Sequence, residues 1–365
     1  MKKIFVILSV FAMASGIMAG NGKYRFMIGT YTSKTNSEGI YSLEIDIKKN
    51  KYKTTLQSSE IVDPSFIAIS KRNLYAANET GNPGVVSAFK FNKKNGSLSF
   101  LNKVNSGGDH TCYVDIASKH VVVANYSGGN LAIFGRQKDG TLTDYLQIIT
   151  HSGSSIHPER QTKPYVHQTI FSPDKKYLLV NNLGIDKVSC YQYNPKNTTE
   201  LLSLSDEIKL KAGSGPRHLT FSKNGKFIFV LQELDGTIST LSFNNGKLAL
   251  ISETSLVQQN EAKTGAADIH ISPDGKYLYA TNRGSANNIS CFAIEKNGAL
   301  RFVEQTSVKG VGPRNFCITK DGKYILVGNQ RTNQIAVFSR NKKSGMLYDT
   351  GMMINLTAPV CIVEF

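Results

Sequence analysis

A repeat of about 50 residues restricts the fold of this chain more than any other feature. Seven copies of one pattern follow one another, and they open at Met27, Ser70, Ala117, Ser172, Ser222, Ser272 and Thr319. The last four copies are the clearest, and their openings lie 50, 50 and 47 residues apart. Such a period indicates a solenoid or a propeller, in which each repeat buries its apolar face against its neighbours. The 365 residues then form one repeat array rather than two or three separate domains.

Within each repeat, short β-like runs alternate with turns. A run such as Arg217–Ser222 comes first, and a turn of the Asp-Gly or Asn-Gly type, which favours tight hairpins, follows it. A second run such as Lys276–Thr281, a polar loop, a third run such as Ile289–Ile294 and another glycine turn lead to a fourth run. Four antiparallel strands make one propeller blade. The sequence therefore predicts an all-β, seven-bladed β-propeller with four-stranded antiparallel blades.

The two ends of the repeat array complement each other. The first copy begins at its second strand, whereas Pro359–Phe365 resembles an isolated first strand such as Pro216–Phe221. We therefore predict that the C-terminal strand pairs into the first blade and closes the ring. Closure leaves no edge between blades for other chains to pair with. The predicted propeller is a single domain over residues 21–365.

The first twenty residues have the composition of a secretory signal peptide. Lys2 and Lys3 precede an apolar stretch over residues 4–14, and small residues surround a possible cleavage point after Ala19 or Gly20. The apolar stretch is too short to span a bilayer, and no later stretch is long enough. Residues 1–20 are therefore predicted to be removed, which places the protein in the periplasm or outside the cell, with no membrane segment. If the segment is retained, the location is cytoplasmic.

The basic charge does not indicate nucleic-acid binding. The chain has 43 Lys+Arg against 27 Asp+Glu, a formal charge of +16. Many lysines lie in pairs within hairpin turns, such as Lys93-Lys94 and Lys342-Lys343. They are spread around the predicted ring without aromatic residues beside them, which is typical of a solvated surface. We predict no nucleic-acid partner, and a monomer or weak homodimer.

The cysteines and histidines show no metal-binding spacing. All five cysteines fall in β-like runs, at positions 112, 190, 291, 317 and 361. Small buried thiols explain these positions better than disulfide bridges do. The seven histidines include no HExxH or other zinc signature. No metal and no cofactor are predicted.

Charged and polar residues gather at one mouth of the predicted channel. In a blade, the start of the inner strand and the end of the second strand lie at the same face, because the two strands are antiparallel. The residues at or near these positions are Tyr126, His167, Gln168, Asn182, Arg217, His218, Glu233, Asp268, Asn282, Arg283, Arg314 and Gln330. The asparagines recur between repeats, so strand capping explains them as well as function does. Different charged residues occupy equivalent positions in different repeats, so the repeat structure itself does not require them. Because charged residues are rarely buried without a partner, their convergence at one mouth predicts a site for an anionic ligand.

Several motifs carry a family resemblance over essentially the whole chain after residue 20. They are IGTYT (28–32), ANY (124–126), PYVHQTIFSPD (164–174), NLGIDKV (182–188), GSGPRHLTF (213–221), QEL (232–234), AADIHISPDGKYLYATNRG (266–284), GPRNF (312–316) and NQ (329–330). The chain resembles the lactonase family of seven-bladed propellers, which includes propeller-type 6-phosphogluconolactonases and carboxymuconate-lactonizing enzymes. The resemblance implies His167, Arg217, Glu233 and Arg283 as catalytic residues. The other residues of the mouth then become candidates for substrate binding.

The resemblance implies hydrolysis of a sugar lactone, a small anionic substrate, by an activated water. Glu233 is the first candidate for the general base and His167 the second, while arginines hold the developing oxyanion. The chain has no GxSxG nucleophile elbow, so no covalent intermediate is expected. Two other functions remain open. One is a non-catalytic exported propeller that binds an anionic ligand or protein, and the other is a muconate-type lactonizing isomerase.

Overall fold

Seven four-stranded antiparallel sheets are arranged as the blades of a propeller, which confirms the predicted fold class. The computed structural model describes residues 22–257 and 264–365, and the predicted signal segment lies outside them. Helix in the described residues is limited to two short 3-10 turns, Ile47–Lys49 and Leu183–Ile185. Across these two ranges, no helix has both the length and the apolar character needed to cross a membrane.

The strands of each blade run outward from the central channel as inner, second, third and outer strands. The inner strands are β4 (Pro64–Ile69), β8 (Thr111–Ile116), β12 (Val166–Phe171), β16 (Pro216–Phe221), β20 (Ala266–Ile271), β24 (Pro313–Ile318) and β28 (Pro359–Glu364). The second strands are β1 (Lys23–Thr30), β5 (Asn73–Asn78), β9 (His120–Asn125), β13 (Tyr177–Asn182), β17 (Phe227–Gln232), β21 (Tyr277–Asn282) and β25 (Tyr324–Asn329).

The outer half of each blade is more exposed to solvent. The third strands are β2 (Ile40–Asp46), β6 (Val85–Phe91), β10 (Asn130–Arg136), β14 (Lys187–Tyr193), β18 (Thr237–Asn244), β22 (Asn288–Ile294) and β26 (Gln334–Arg340). The outer strands are β3 (Lys51–Ser58), β7 (Leu98–Asn105), β11 (Leu142–Thr150), β15 (Leu202–Lys209), β19 (Lys247–Ser255), β23 (Leu300–Ser307) and β27 (Leu347–Asn355). Apolar clusters between adjacent blades hold the ring together.

The turn that recurs between the repeats has a definite hydrogen-bond pattern. In one blade, the Ser272 hydroxyl donates to Asp274 and accepts from the backbone N–H of Tyr277, while Asp274 accepts from the N–H of Lys276. The same pattern recurs in the turns that follow β12, β16 and β24. Gly275 adopts a φ of 76°, a left-handed conformation that glycine accepts without strain. The Ser/Thr, Asp/Asn and Gly positions of the repeat are therefore explained by this hairpin.

The C-terminal strand closes the ring, as the sequence predicted. Strand β28 pairs with β1 in antiparallel register, from Phe26 opposite Glu364 to Thr30 opposite Pro359. It supplies the inner strand of the blade whose other strands are β1, β2 and β3. The first and last described segments of the chain therefore share one sheet.

The five cysteines are free thiols on strands, as the sequence predicted. Four of them are buried, and Cys317 is only partly buried. Burial raises the pKa of the Cys291 thiol to about 12, so the group is uncharged at neutral pH. Its position in the inter-blade core is that of a small apolar side chain.

A buried arginine joins two neighbouring blades. Arg340, at the end of β26, donates from Nε to the Tyr279 hydroxyl at 2.8 Å and from Nη2 to Asp274 Oδ2 at 2.9 Å. Its Nη1 donates to the carbonyl of Gly322 in its own blade at 3.1 Å. The guanidinium also lies over the rings of Tyr277 and Tyr279. Each nitrogen of this buried guanidinium therefore has an acceptor, and two of the three acceptors lie across the blade interface.

Replacing Arg340 with methionine should lower the free energy of unfolding by about 3 kcal/mol, because it leaves Asp274 and the Tyr279 hydroxyl without their partner. Urea denaturation measures the change. The control is Arg301→Met, which breaks an exposed ion pair with Glu295 on the protein surface. That loss should cost less than about 1 kcal/mol. Equal effects of the two substitutions would contradict the proposed role of Arg340.

Candidate active site

Each of the seven inner strands contains one extra residue near its start. In β12, Val166 pairs with Asn182 and Gln168 pairs with Asn181, so His167 has no partner on β13. In β16, Arg217 is the extra residue in the same way. The corresponding bulges lie at or next to Ser65, Cys112, Ala267, Arg314 and Val360. A bulge re-aims a side chain, and the repetition of this one brings residues about 50 apart in sequence together at one channel mouth.

A second set of equivalent residues follows directly after the second strands. These residues are Tyr31, Glu79, Tyr126, Leu183, Glu233, Arg283 and Gln330. In every blade the backbone N–H of this residue donates to a carbonyl just before the inner strand, at distances from 2.8 to 3.2 Å. The hydrogen bond of Glu233 to Gly215 is the shortest, at 2.8 Å. The backbone at the rim is therefore held in the same way all round the ring, whatever the side chain.

The two sets enclose a cavity of about 260 Å³ at this mouth. Its lining residues are Glu79, Tyr126, Arg160, His167, Arg217, Glu233, Arg283 and Arg314. All four residues that the resemblance implied as catalytic lie in this lining, together with the predicted residues Tyr126 and Arg314. Four arginines face two glutamates, so the cavity carries a net positive charge that suits an anionic ligand.

Glu233 is the electrostatic centre of the cavity. Its Oε2 lies 2.9 Å from Nε of Arg217 and 3.1 Å from Nη2 of Arg283. Its Oε1 accepts a hydrogen bond from Nη2 of Arg160 at 2.6 Å. The Arg217 contact is an ion pair whose N–H is not aligned with the carboxylate. One carboxylate therefore fixes three guanidinium groups around the cavity.

The arginines also set the protonation state of Glu233. Burial favours the neutral acid, but the positive charges of Arg283, Arg217 and Arg160 outweigh it and lower the pKa of Glu233 to about 2. The carboxylate is therefore charged at every pH near neutrality. A carboxylate with so low a pKa is a weak base, and both of its oxygens already have cationic partners.

His167 differs from Glu233 in that it has no partner for Nδ1, which is buried and makes no hydrogen bond to the described residues. Burial, reinforced by the charge of Arg217, holds the pKa of His167 well below its usual value. The ring packs edge-on against Tyr126 and His218, with centroids 5.4 and 5.2 Å away. His167 is therefore a neutral imidazole at a fixed position in the cavity wall.

Beneath the cavity, a buried carboxylate links two histidines. Asp268 lies 2.8 Å from Nδ1 of His218 through Oδ1 and 2.8 Å from Nε2 of His270 through Oδ2. If His218 donates to Asp268, its Nε2 faces Nη1 of Arg217 at 3.4 Å as an acceptor. Burial and the charge of Arg217 lower the pKa of His218 to about 4. His218 and Asp268 thus lie behind Arg217 and support it, rather than facing the open cavity.

Four other predicted site residues do not line the cavity and instead contact neighbouring strands and loops. Gln168 accepts from the N–H of Leu219 at 2.6 Å and from Asn181 at 3.2 Å, which joins two inner strands. The Asn182 side chain accepts from the N–H groups of Tyr165 and Gly184, and Asn282 accepts from that of Gly265. The backbone N–H of Gln330 donates a hydrogen bond to the carbonyl of Gly312. The asparagines thus satisfy loop backbone, the role that the recurrence between repeats had also suggested.

Two residues of the cavity were absent from the sequence prediction. Arg160 lies on the connection between β11 and β12, which is longer than the equivalent connections between the other blades. Its unusual length was the only available signal. Glu79 follows β5, so it is equivalent to Glu233 and could have been chosen on that ground. Glu79 accepts from the Tyr31 hydroxyl at 2.5 Å and lies 3.6 Å from Arg314, which positions that arginine.

Comparison with known proteins places the chain among lactonases. The family model "Lactonase, 7-bladed beta-propeller" matches residues 25–364. A 6-phosphogluconolactonase of Formosa agariphila is 32% identical over 88% of this chain and 93% of its own length. One of Bacillus subtilis is 32% identical over 93% of this chain and 98% of its own length.

Solved structures give the same result. A Bacteroides fragilis protein with a provisional 6-phosphogluconolactonase assignment has a TM-score of 0.90 and 35% identity, and the match covers 95% of this chain and 99% of that one. The periplasmic gluconolactonase PpgL of Pseudomonas aeruginosa has a TM-score of 0.88 and 32% identity, with 94% and 99% covered. The chain therefore belongs to the lactonase family of seven-bladed β-propellers.

Proposed function

We propose that the protein hydrolyses sugar lactones in the cavity around Glu233. The observation that carries the proposal is the carboxylate that fixes three guanidinium groups beside a neutral histidine. This arrangement supplies hydrogen-bond donors for a developing oxyanion and a separate acceptor for a proton. The relatives named 6-phosphogluconolactonase and gluconolactonase support the choice of a lactone as substrate.

In the proposed reaction, water adds to the carbonyl carbon of the lactone and gives up a proton to the enzyme. The contacts of Arg217 and Arg283 leave Nη2 of Arg217 and Nη1 of Arg283 without hydrogen bonds to the described residues. These groups stabilise the negative oxygen of the tetrahedral intermediate. The bond between the carbonyl carbon and the ring oxygen then breaks, and the ring oxygen takes up a proton to give the free acid. No covalent bond to the protein is formed.

The contacts favour His167 over Glu233 as the general base, which reverses the order expected from sequence. Glu233 has a pKa of about 2, and all three of its neighbours are cations. His167 is neutral, and it lines the cavity without a hydrogen bond from its ring to the described residues. In this assignment Glu233 holds the arginines in place, and His167 accepts the proton of the attacking water and returns it to the ring oxygen.

The proposal is tested by measuring the hydrolysis of glucono-1,5-lactone and of its 6-phosphate in a pH-stat, with the spontaneous rate subtracted. We expect turnover of at least one of them. A folded protein that hydrolyses neither lactone would contradict the proposed function and would favour a binding protein.

The pH dependence tests the role of His167. A general base acts only when it is unprotonated, and the pKa of His167 lies well below the usual 6.5. We therefore expect kcat/KM to stay level from about pH 8 to about pH 6 and to fall only at lower pH. The variant His167→Gln should lose at least about 100-fold in rate and also lose this acid limb. A limb centred at about pH 7 would contradict the assignment.

We also propose that the protein is exported. The composition of residues 1–20 supports this, and the relative PpgL is named as a periplasmic gluconolactonase.

A further inference from the structure

The connection between β11 and β12, residues 151–165, covers the rim of the blade that follows it, and we call it the arm. The rim position after β13 carries the aliphatic residue Leu183, whereas the equivalent positions of the other blades carry polar or charged side chains. Leu183 is fully buried. Its backbone N–H donates to the carbonyl of Tyr165 at 2.9 Å, and its carbonyl accepts from Nε2 of Gln161 at 2.8 Å. The arm is therefore bound to this rim position by its backbone and by one side chain.

That side chain, Gln161, is the buried anchor of the arm. It is fully buried, although Glu159, two residues before it, is exposed. Its Nε2 donates to the carbonyl of Leu183 at 2.8 Å and to Oδ1 of Asp186 at 2.7 Å. Its Oε1 accepts from the backbone N–H of His157 at 3.1 Å. Because these partners are two acceptors and one donor, they fix the orientation of the amide, and a shift of the arm would leave buried polar groups unpaired.

The carboxylate of Asp186 joins the arm to the loop that holds Glu233. Its Oδ1 accepts from Gln161 and also from the backbone N–H of Gly215 at 2.7 Å. The carbonyl of Gly215 in turn accepts from the backbone N–H of Glu233 at 2.8 Å. Arg160 and Glu233, whose side chains meet at 2.6 Å, therefore belong to two segments that are tied to the same buried carboxylate.

The arm also packs closely against the turn Leu183–Ile185. A Cβ atom at Gly184 would lie 1.9 Å from the carbonyl oxygen of Lys163 and 2.7 Å from the backbone nitrogen of Tyr165. Both atoms belong to the backbone of the arm, so a side chain at this position would displace the arm. A substitution at Gly184 therefore moves the arm without altering Gln161.

We propose that Gln161 is a positioning residue of the active site, because it holds the arm so that Arg160 stays in contact with Glu233. Gln161 does not line the cavity, so it acts through Arg160 rather than on the substrate. The Arg160 side chain is 41% exposed, and its other guanidinium contact is the Tyr126 hydroxyl at 3.3 Å. A long side chain with so few contacts depends on the placement of its backbone. The inference rests on the proposed lactone hydrolysis for its kinetic test alone.

The kinetic test is a double-mutant cycle, measured with whichever of glucono-1,5-lactone and its 6-phosphate the native protein hydrolyses. Gln161→Ala should lower kcat/KM by about tenfold, the effect expected from losing one charge-assisted hydrogen bond. In the Arg160→Gln background the same substitution should lower it by less than about twofold, because the group that Gln161 positions is absent. Independent losses that multiply in the double variant would overturn the proposal.

A matched control is Gln147→Ala. The Gln147 side chain also pairs with buried backbone groups, since it donates to the carbonyl of Leu202 at 2.8 Å and accepts from its N–H at 2.9 Å, but it lies outside the cavity. This variant should keep kcat/KM within about twofold of the native value. Gly184→Ala, which displaces the arm, should lose activity as Gln161→Ala does. Equal losses in Gln147→Ala and Gln161→Ala, or a native rate in Gly184→Ala, would overturn the positioning role.

Crystal structures of the variants separate failure of this inference from failure of the proposed function. In Gln161→Ala, Nη2 of Arg160 should lie more than about 3.5 Å from Oε1 of Glu233, a contact of 2.6 Å in the native protein. Gln147→Ala should keep the native contact. If neither lactone is hydrolysed, a broken contact in Gln161→Ala still supports the positioning role, and an unchanged one overturns it. If Gln161→Ala does not fold, the same distance in Gly184→Ala decides the question.

Discussion

Substitution of Glu233 with glutamine should lower kcat/KM for lactone hydrolysis by at least about 100-fold. The amide is neutral, so Arg160, Arg217 and Arg283 lose the charge that holds them at 2.6 to 3.1 Å. Their mutual repulsion would then displace the donors that face the oxyanion, and loss of a single such donor costs about 10²–10³ in rate. Initial rates of lactone hydrolysis at neutral pH measure the effect.

The matched control is Glu207→Gln. Glu207 also pairs with a cation, Lys187, but lies on an outer strand away from the channel. Its loss should leave the rate unchanged. Because Glu233→Gln leaves buried guanidinium groups without a counter-charge, thermal unfolding must show that the variant is folded at the assay temperature. Glu233→Asp keeps the charge and should retain more activity than the glutamine variant. Full activity in Glu233→Gln would contradict both roles considered for this residue.

Removal of residues 359–365 should abolish cooperative folding. Val360, Cys361 and Ile362 are buried, and each large apolar side chain contributes roughly 1.5–3 kcal/mol. The deletion also exposes the edge of β1 and leaves Asn315 without the N–H of Ile362, which it binds at 2.7 Å. These losses are comparable with the whole stability of a typical domain, about 5–15 kcal/mol. Circular dichroism during heating should show no sharp transition.

A circular permutant provides the control for this deletion. The end of β28 lies beside the start of β1, since Glu364 pairs with Phe26. Moving residues 359–365 in front of Lys23 through a short hairpin restores the strand in the same position. The permutant should unfold cooperatively close to the native midpoint. A deletion variant with a native-like midpoint would show that the ring does not depend on its closing strand.

The architecture was predictable because it is repeated. The Ser-x-Asp-Gly turn is local, so its spacing identifies the blades without any long-range information. The terminal strand could be assigned because the first repeat begins at its second strand and so lacks the inner strand that residues 359–365 supply. The strand order within a blade also fixes which repeat positions meet at one mouth. This allowed four residues to be placed there together: His167, Arg217, Glu233 and Arg283.

Features of the site that do not recur between repeats could not be predicted from the sequence. Arg160 comes from a connection that is longer than its equivalents in the other blades, and only three-dimensional folding brings it to Glu233. Simple strand alternation also does not predict the bulges, which turn His167 into the cavity and leave its neighbour Gln168 between two inner strands. The proposed choice of His167 rather than Glu233 as the general base depends on contact distances. The low pKa of Glu233 follows from three arginines around its carboxylate, and the sequence does not show that these side chains meet there.

The pairing of β28 with β1 determines on which face of the propeller a tag, a fusion partner or a solid support would be attached. Thr30 and Pro359 lie at the face that bears the cavity, whereas Lys23 and Phe365 end at the opposite face. A tag, a surface or a fused protein joined next to Lys23 or Phe365 would therefore leave the mouth that bears the cavity facing free solution. Immobilisation through either of these points should preserve access for substrate, whereas coupling through loops such as residues 151–165 would obstruct it.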